Sequence, residues 1–129
     1  MRIEHAAIWT DDLERLRAFY ERYLGACAGD RYENATNGFT SYFLELDGDA
    51  RLELMAMPSI PASRDDPIVQ ATGLAHLAFA LGSEAAVDEL AARLAADGYR
   101  VVDGPRRTGD GYYEAAVLDP DGNRIELTA

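Results

Sequence analysis

The sequence predicts an α+β fold of two tandem βαβββ modules that form a curled mixed sheet. Each half begins with strand-like alternation, around His5 and His76, continues with an amphipathic helical pattern and ends with three further strand patterns. The last strands read "RLELMA" and "RIELTA", so Glu53 and Glu126 stand at nearly equal distances from the histidine of their half. These matched spacings indicate an internal duplication. Because one such unit cannot bury its own sheet, two units are expected to pack or curl together.

The first strand and helix follow from local patterns near the beginning of the chain. Alternation over 2–9 places His5 and Trp9 on the same face of a strand. A capping box formed by Asp11 and Glu14 predicts the start of the next helix, and Gly25 predicts its end. The apolar stripe of this helix consists of Leu13, Leu16, Tyr20, Tyr23 and Leu24.

Three strands and a linker follow this helix. The strands are expected at 26–32, 40–46 and 50–57, with "DGD" as the hairpin turn between the last two. The proline-bearing stretch "PSIPASRDDPIVQATG" predicts a linker on the surface. We therefore expect one domain, 1–129, with a first module at about 1–57, a linker at 58–72 and a second module at about 73–129.

The second module repeats this order. A strand is expected at 74–81, and Ser83 predicts the cap of a helix that ends at Gly98. Its apolar stripe consists of Val87, Leu90, Ala91 and Leu94. The remaining strands are expected at 99–102, 112–118 and 123–128, and "DPDG" predicts the tight turn between the last two.

Composition limits the classes of function. The 129 residues, 48% of them hydrophobic, fit a globular domain, and the formal charge of −11 would repel a phosphate backbone, so nucleic acid is not an expected partner. No apolar run approaches the roughly 18 residues of a membrane span and no signal-peptide pattern is present, so a cytoplasmic protein without membrane contact is expected.

All twelve basic residues are arginine, which excludes Schiff-base chemistry on lysine. The one cysteine, Cys27, is expected to be a small buried thiol.

Two histidines and two glutamates are the candidate chemical groups. In "RLELMA" and "RIELTA" the glutamate stands between aliphatic neighbours, so its carboxylate is expected on the opposite face of the strand. An unpaired carboxylate there is unfavourable, and a divalent cation would stabilise it. The residues predicted to bind one metal ion, in a cavity enclosed by the sheet, are His5, Glu53, His76 and Glu126. The alternative is two separate Glu–His contacts without a metal.

Four longer motifs resemble those of a known family. They read "IEHAAIWTDDLERLRAFYERYLG", "LELMAMP", "GLAHLAFAL" and "YYEAAVLDPDGNRIEL", and they cover nearly the whole chain. In combination they resemble the vicinal oxygen chelate superfamily, which includes glyoxalase I, bleomycin-resistance proteins, extradiol dioxygenases and methylmalonyl-CoA epimerase. The chain is most similar to the small bacterial glyoxalase I-like proteins. The resemblance implies the same four metal ligands.

This resemblance implies a metal-dependent lyase or isomerase of the glyoxalase I type, similar to lactoylglutathione lyase. Its small-molecule substrate would bind the ion through adjacent oxygens, and a proton would then be transferred. Glu126 and Glu53 are the implied catalytic carboxylates, with Glu126 as the proton-transferring base. Zinc or nickel is the favoured ion, and cobalt, manganese and iron suit the same donors. The resemblance also implies a homodimer, although in some members both halves of one chain share a site.

Three residues are candidates for the substrate cavity: Trp9, Tyr112 and Glu114. Bacterial glyoxalase I has an arginine four positions after its first histidine, where it helps to hold a glutathione carboxylate, and this chain has Trp9 there. An indole carries no charge, which argues against glutathione. Arg31, Arg106 and Arg107 are the arginines that could replace it. Tyr112 and Glu114 share one face of their strand, while Tyr113 takes the other face and is expected to pack.

Two other functions remain open. An extradiol-type dioxygenase would use iron held by two histidines and one carboxylate, so the second carboxylate counts against it. A non-catalytic antibiotic-binding protein of the bleomycin-resistance kind needs no metal ligands. The presence of all four residues counts against that function too.

Overall fold

The computed structural model describes all 129 residues and divides them into two compact units, residues 1–64 and 65–129. The elements are β1 (His5–Trp9), α1 (Leu13–Leu24), β2 (Cys27–Ala28), β3 (Tyr32–Asn34), β4 (Phe39–Glu45), β5 (Arg51–Ala56), β6 (Leu77–Ala80), α2 (Glu84–Ala96), β7 (Val101–Arg107), β8 (Tyr113–Leu118) and β9 (Arg124–Thr128). Each unit has one helix and one sheet, so the predicted α+β class with two modules is confirmed. Neither helix combines the length and the hydrophobicity that a membrane crossing requires.

The two sheets have the same strand order, as an internal duplication requires. The order is β1-β5-β4-β2 in unit 1, with β3 also paired to β4, and β6-β9-β8-β7 in unit 2. In each unit the first strand pairs in parallel with the last strand. All other pairings are antiparallel, so both sheets are mixed.

One side of the unit 1 sheet faces α1 and forms the core of that unit. The buried side chains of α1 recur at helical spacing, and they are Leu13, Leu16, Phe19, Tyr20 and Tyr23. The strands contribute Leu44, Leu52 and Leu54 to the buried core. Strand alternation leaves the other side, which we call the open face of unit 1, with His5, Ala7, Trp9, Phe43, Glu53 and Met55.

Unit 2 has the same arrangement around α2. The helix buries Val87, Ala91 and Leu94, and the strands bury Ala115, Val117, Ile125 and Leu127. The opposite side of this sheet, the open face of unit 2, carries Ala78, Glu114, Ala116, Glu126 and Thr128. The aliphatic neighbours of each glutamate are therefore buried beneath a helix, while the glutamate itself points to the open face.

The helix caps agree with the sequence at Ser83 and Gly25 but differ at the start of α1 and at the end of α2, whose C-cap is Asp97 and not Gly98. Ser83 accepts a hydrogen bond from the Ala86 backbone amide, and Gly25 adopts a left-handed conformation with φ 66°, as expected. The N-cap of α1 is Asp12, whose side chain accepts from the Arg15 amide. The prediction that Asp11 caps this helix is wrong, because Asp11 instead forms an ion pair with the Arg15 guanidinium.

Several strand boundaries differ from the sequence prediction. The strand expected at 26–32 is two short strands, β2 and β3, separated by Gly29, Asp30 and Arg31, and Gly and Asp are disfavoured in strands. The strand expected at 99–102 begins later and extends to Arg107 through a glycine and a proline, with shifts in its register against β8. Cys27 lies exposed in the edge strand β2, so the expectation of a buried thiol is wrong.

The continuation of β7 depends on Gly104. This residue has φ +72°, and a Cβ there would lie 2.5 Å from the Glu114 carbonyl oxygen. Only glycine allows this close approach together with the left-handed conformation. Gly104 and Pro105 would be expected to end a strand, but β7 continues through them and Arg106 pairs with Glu114.

The turn between β8 and β9 is held by one buried carboxylate. Asp119 is 4% exposed and accepts hydrogen bonds from the backbone amides of Asp121 and Asn123, at 2.9 and 2.8 Å. Its second oxygen accepts from Asn123 Nδ2 at 2.8 Å. The predicted "DPDG" turn is confirmed, and its aspartate fixes how the two strands are joined.

Candidate metal centre

His5 and Glu53 meet on the open face of unit 1. In the parallel pairing of β1 with β5, Ala7 is the partner of Glu53, and His5 lies two residues before Ala7 on the same face. His5 Nε2 is 3.7 Å from Glu53 Oε2. The Glu53 side chain is 16% exposed and that of His5 38%. The imidazole is therefore accessible from solvent, while the carboxylate is held against the sheet.

His76 and Glu126 form the corresponding pair in unit 2. Ala78 is the partner of Glu126 in the parallel pairing of β6 with β9, and His76 again lies two residues earlier. His76 Nε2 is 3.5 Å from Glu126 Oε2, and the carboxylate side chain is 20% exposed. The two pairs thus occupy the same register positions in their sheets.

The histidines lie at the start of their strands and not within them, as the predicted strands 2–9 and 74–81 would place them. His5 is the first residue of β1, and His76 directly precedes β6. Each side chain is more than one third exposed. The apolar residues that follow each histidine show that a strand is present and which side of it faces the helix. They do not show where the strand begins, and each histidine lies at that beginning.

The donor separation in each pair is close to that of two ligands of one divalent ion. Metal–nitrogen and metal–oxygen bonds of about 2.0–2.2 Å place neighbouring donors about 3.0–3.4 Å apart. The observed separations of 3.5 and 3.7 Å are slightly larger than this and are longer than an ordinary hydrogen bond. Imidazole nitrogen and carboxylate oxygen together suit zinc, nickel and the neighbouring divalent metals. No group of three or more His, Cys, Asp and Glu side chains with metal-binding geometry occurs in the chain.

Glu4 links His5 to Arg51. One oxygen of its carboxylate accepts a hydrogen bond from His5 Nδ1, and the other accepts from the Arg51 guanidinium. The bond from His5, followed by the bond from Arg51, lowers the pKa of Glu4 from its ordinary value. Phe43 lies beside both partners, with its ring edge-on to the His5 ring at 5.4 Å between centroids and its centroid 4.4 Å from Arg51 Cζ. The His5 ring is therefore contacted at Nδ1 and at its side.

Three aromatic rings lie further along unit 1. The Trp9 and Phe39 ring centroids are 6.0 Å apart, and those of Tyr32 and Phe39 are 6.1 Å apart. Trp9 is 41% exposed and shares its strand and its face with His5. We call these three residues the aromatic cluster. It offers an accessible apolar surface on the sheet that carries the His5–Glu53 pair.

In unit 2, the residue beside the His–Glu pair is acidic. Glu114 lies two residues before Ala116, the strand partner of Glu126, so both carboxylates belong to the open face. Burial and the nearby Glu126 carboxylate raise the pKa of Glu114. Tyr113 donates a hydrogen bond to Asp88 of α2, with 2.7 Å between the oxygens, and Tyr112 is left exposed before the strand begins. Tyr113 thus points toward α2, away from Glu114, as the sequence predicts, whereas Tyr112 precedes the strand and belongs to neither face.

The chain therefore consists of two duplicated modules, each with a mixed sheet and a His–Glu pair at the same position in the sheet. Residues 2–127 match the profile of the Glyoxalase/Bleomycin resistance protein/Dioxygenase superfamily. The chain belongs to this superfamily, and the resemblance stated from its motifs is confirmed.

Individual relatives cover the chain to different extents. YqjT of Bacillus subtilis is 28% identical over 130 residues, which span 98% of each chain. The structure of the trypanothione-dependent glyoxalase I of Leishmania major is 26% identical, with a TM-score of 0.77 over 99% of this chain and 86% of that one. The mitochondrial methylmalonyl-CoA epimerase of Bos taurus is 36% identical over 67 residues, which cover 52% of this chain and 35% of the epimerase. The proteins similar to this chain thus include enzymes.

The sequence patterns assign no role to Glu4, Arg51 or Phe43. Arg51 could be found from the strand register, because the parallel pairing of the first and last strands of unit 1 places it opposite His5. Phe43 is likewise the antiparallel partner of Glu53. Glu4 is visible as the residue before His5, but Arg51 and Phe43 can be placed beside His5 only when the order of the strands is known.

Proposed function

We propose that this protein is a divalent-metal-dependent lyase or isomerase of the glyoxalase I type. It would transfer a proton on a small molecule that is chelated through adjacent oxygens. The observation that carries this proposal is the repeated pair, a histidine Nε2 within 3.7 Å of a glutamate Oε2 at one register in both sheets. The occurrence of the same pair at equivalent positions of both sheets supports one shared chemical role.

The four side chains divide this task. His5, Glu53, His76 and Glu126 would hold the ion, which supplies Lewis-acid polarisation of the substrate oxygens when it is bound. Glu126 would accept the substrate proton at a carboxylate oxygen and return it to the neighbouring carbon. The donor set of two imidazoles and two carboxylates favours this chemistry over an iron dioxygenase, which uses one carboxylate fewer.

The surroundings of the unit 1 pair support a substrate with an apolar part. Trp9 places an uncharged ring on the open face, where it contacts Phe39, and Phe39 in turn contacts Tyr32. Two arginines that could replace a carboxylate-binding residue are already paired, Arg106 with Asp103 and Arg107 with Glu84. These contacts support a substrate other than glutathione adducts, with an apolar group beside its chelating oxygens.

We also propose a homodimer, because the glyoxalase I resemblance implies ligands shared between two chains. Sedimentation of the purified protein at micromolar concentration should give the mass of two chains. A single-chain mass would contradict the dimer and leave the metal assignment to be judged by metal binding alone.

Metal analysis tests the proposed function directly. Elemental analysis of the wild-type protein after loading with Zn²⁺ or Ni²⁺ and removal of the excess should give about one ion per chain. The double variant His5→Ala/His76→Ala should bind none, because it removes both nitrogen donors. The double variant Asp65→Ala/Asp66→Ala, which changes two exposed acidic residues of the linker, is the control and should bind as the wild type does. Full occupancy in the histidine variant would refute the site.

The reaction class has its own measurement. Metal-loaded protein incubated in deuterium oxide with 2-oxo and α-hydroxycarbonyl compounds should incorporate deuterium at the carbon next to the chelating oxygens. The metal-free protein should not. Oxygen consumption with catechols in place of this exchange would favour the dioxygenase.

A further inference from the structure

The two candidate half-sites have different surroundings, although their registers match. At His5 the preceding residue is Glu4, and the equivalent residue before His76 is Ala75. Phe43 is the antiparallel partner of Glu53, whereas Ala116 is the partner of Glu126. The ring of His5 therefore has an acidic and an aromatic neighbour at positions where unit 2 has only methyl groups.

Arginines complete this contrast. Arg51 and Arg124 each stand two residues before the glutamate of their strand. The guanidinium of Arg51 donates to Glu4. In unit 2, where no acidic residue precedes the histidine, Arg124 Nε is buried without a hydrogen-bond partner. Both units thus have an arginine at the same strand position, but only in unit 1 does a carboxylate, that of Glu4, precede the histidine and bind this arginine.

From these contacts we infer that Glu4 is a positioning residue, which holds His5 with its proton on Nδ1 and its Nε2 lone pair directed to the metal. An ionised carboxylate only accepts hydrogen bonds, so the nitrogen that faces Glu4 must carry the hydrogen. The other nitrogen of a neutral imidazole is then unprotonated, which is the form that binds a metal. It is this nitrogen, Nε2, that lies 3.7 Å from Glu53 Oε2.

Arg51 and Phe43 make the position of Glu4 specific. The second carboxylate oxygen of Glu4 is occupied by Arg51, and Arg51 in turn lies over the Phe43 ring. Phe43 also contacts the His5 ring edge-on. The result is a closed set of contacts, Glu4 to Arg51 to Phe43 to His5 and back to Glu4, around one imidazole. The imidazole of His5 is therefore held from two sides before an ion binds.

This inference rests on the proposed metal site, but one arm of its test does not need metal. In the metal-free protein at about pH 8.5, where an ordinary histidine is neutral, ¹⁵N NMR of the imidazoles should show His5 protonated at Nδ1. Glu4→Ala should lower the Nδ1-protonated fraction of His5 and leave His76 unchanged. Glu33→Ala removes an exposed glutamate of the same unit and should change neither ring. A His5 spectrum that is the same in wild type and Glu4→Ala would overturn the inference.

The second arm measures the Zn²⁺ dissociation constant by competition with a chromophoric chelator. Loss of a carboxylate that orients a metal-binding histidine weakens metal affinity about 10–100-fold, and we expect this for Glu4→Ala. Glu4→Gln keeps one acceptor oxygen and should lose less, whereas Glu33→Ala should stay within about twofold, as expected for a distant screened charge. If wild type binds Zn²⁺ and Glu4→Ala binds it equally well, the positioning role is wrong while the metal site stands. If wild type binds no Zn²⁺, the proposed function fails, and the role of Glu4 in metal binding fails with it.

A reciprocal variant uses the duplication. Ala75→Glu places a carboxylate before His76, next to the position of Arg124. It should raise the Nδ1-protonated fraction of His76 and tighten Zn²⁺ binding in the Glu4→Ala background. An unchanged His76 ring in a folded Ala75→Glu protein would count against the idea that the preceding carboxylate sets the tautomer.

Discussion

Glu53 and Glu126 occupy one register position in two different sheets, each opposite the residue that lies two places after a histidine. Their surroundings nevertheless differ. Glu53 pairs across the strands with Phe43, while Glu126 pairs with Ala116 and has a second carboxylate, Glu114, on its face. The resemblance to glyoxalase I is the basis for proposing different roles for the two glutamates, and their unequal neighbours agree with that proposal.

Glutamine substitutions should separate these roles. Glu126→Gln keeps the size and one oxygen donor but removes the base, so metal should largely remain while turnover falls about 10²–10⁴-fold. Glu53→Gln should act mainly through weaker metal binding, and added metal should partly restore its turnover. The measurement is turnover beside metal occupancy for both variants. Normal turnover of Glu126→Gln at full occupancy would end its assignment as the base.

Trp9 should control which substrates are accepted. Trp9→Ala removes an exposed indole from the open face, and aromatic contacts of this kind contribute about 0.5–1.5 kcal/mol. We expect kcat/KM to fall about 2–10-fold for substrates with an apolar group, and to stay nearly constant for the smallest chelating substrates. Val69→Ala, at an exposed apolar residue of unit 2, is the control. An equal loss for large and small substrates would show that Trp9 does not bind the apolar group.

Trp9→Arg asks the complementary question. It introduces the charge that the resemblance to bacterial glyoxalase I would place at this position. Activity with glutathione hemithioacetals should rise relative to Trp9→Ala, because a guanidinium can bind a carboxylate in two places. No difference between the two variants would remove position 9 from the explanation of substrate choice.

Glu114 should make stability depend on pH. Its pKa is raised in the folded protein by burial and by the Glu126 carboxylate, so the folded state favours the protonated form. The associated stability is fully present below about pH 4.5, the ordinary pKa, and is lost as the pH rises through the raised pKa. Glu114→Gln should therefore leave Tm unchanged near pH 4 and raise it by about 1–3 °C at neutral pH, a small effect because the group is partly hydrated.

The measurement for Glu114 is thermal unfolding of metal-free wild type and variant across this pH range. Glu45→Gln, at an exposed glutamate of unit 1, is the control for loss of one negative charge. A Tm gain that is as large at pH 4 as at neutral pH would show that the effect does not come from the ionised carboxylate.

Neighbouring residues of β9 should respond to substitution in opposite ways. Leu127 is fully buried beneath α2, and Leu127→Ala should lower the free energy of unfolding by about 2–4 kcal/mol. Thr128 lies on the open face, and Thr128→Ala should change it by less than about 1 kcal/mol. Chemical denaturation of both variants checks the assignment of faces. Similar losses for the two would contradict the register of β9.

The sequence was sufficient for the parts of the fold that depend on local periodicity. The Ser83 cap, the "DPDG" turn and the alternation around Glu53 are local patterns, and the structure contains each of them. The stripe of α1 is also present, with Phe19 buried in place of the predicted Leu24. The two carboxylate positions followed from the alternation because aliphatic neighbours on both sides leave only one face for the charge.

Other features depend on contacts between distant residues, which periodicity does not describe. The prediction of a buried Cys27 used the residue type, whereas its exposure follows from the edge position of β2. The extension of β7 through Gly104 depends on a close approach to the Glu114 carbonyl. The contact between Glu4 and Arg51 requires the parallel pairing of two strands that are separated by most of a module. Each of these is decided by the order of strands in a sheet.

The hydrogen bonds of Asp119 have a consequence at the level of the gene. They fix the number of residues between β8 and β9, and the side chains of a strand alternate between its two faces. A single inserted or deleted codon in this turn that shifted the pairing by one residue would turn Glu126 toward α2 and bring Leu127 to the open face. The same codon change in the segment between β5 and β6, which contains no strand or helix, would leave every pairing in place. Length variation among descendants of this gene should therefore be tolerated between the units and eliminated at the aspartate turn.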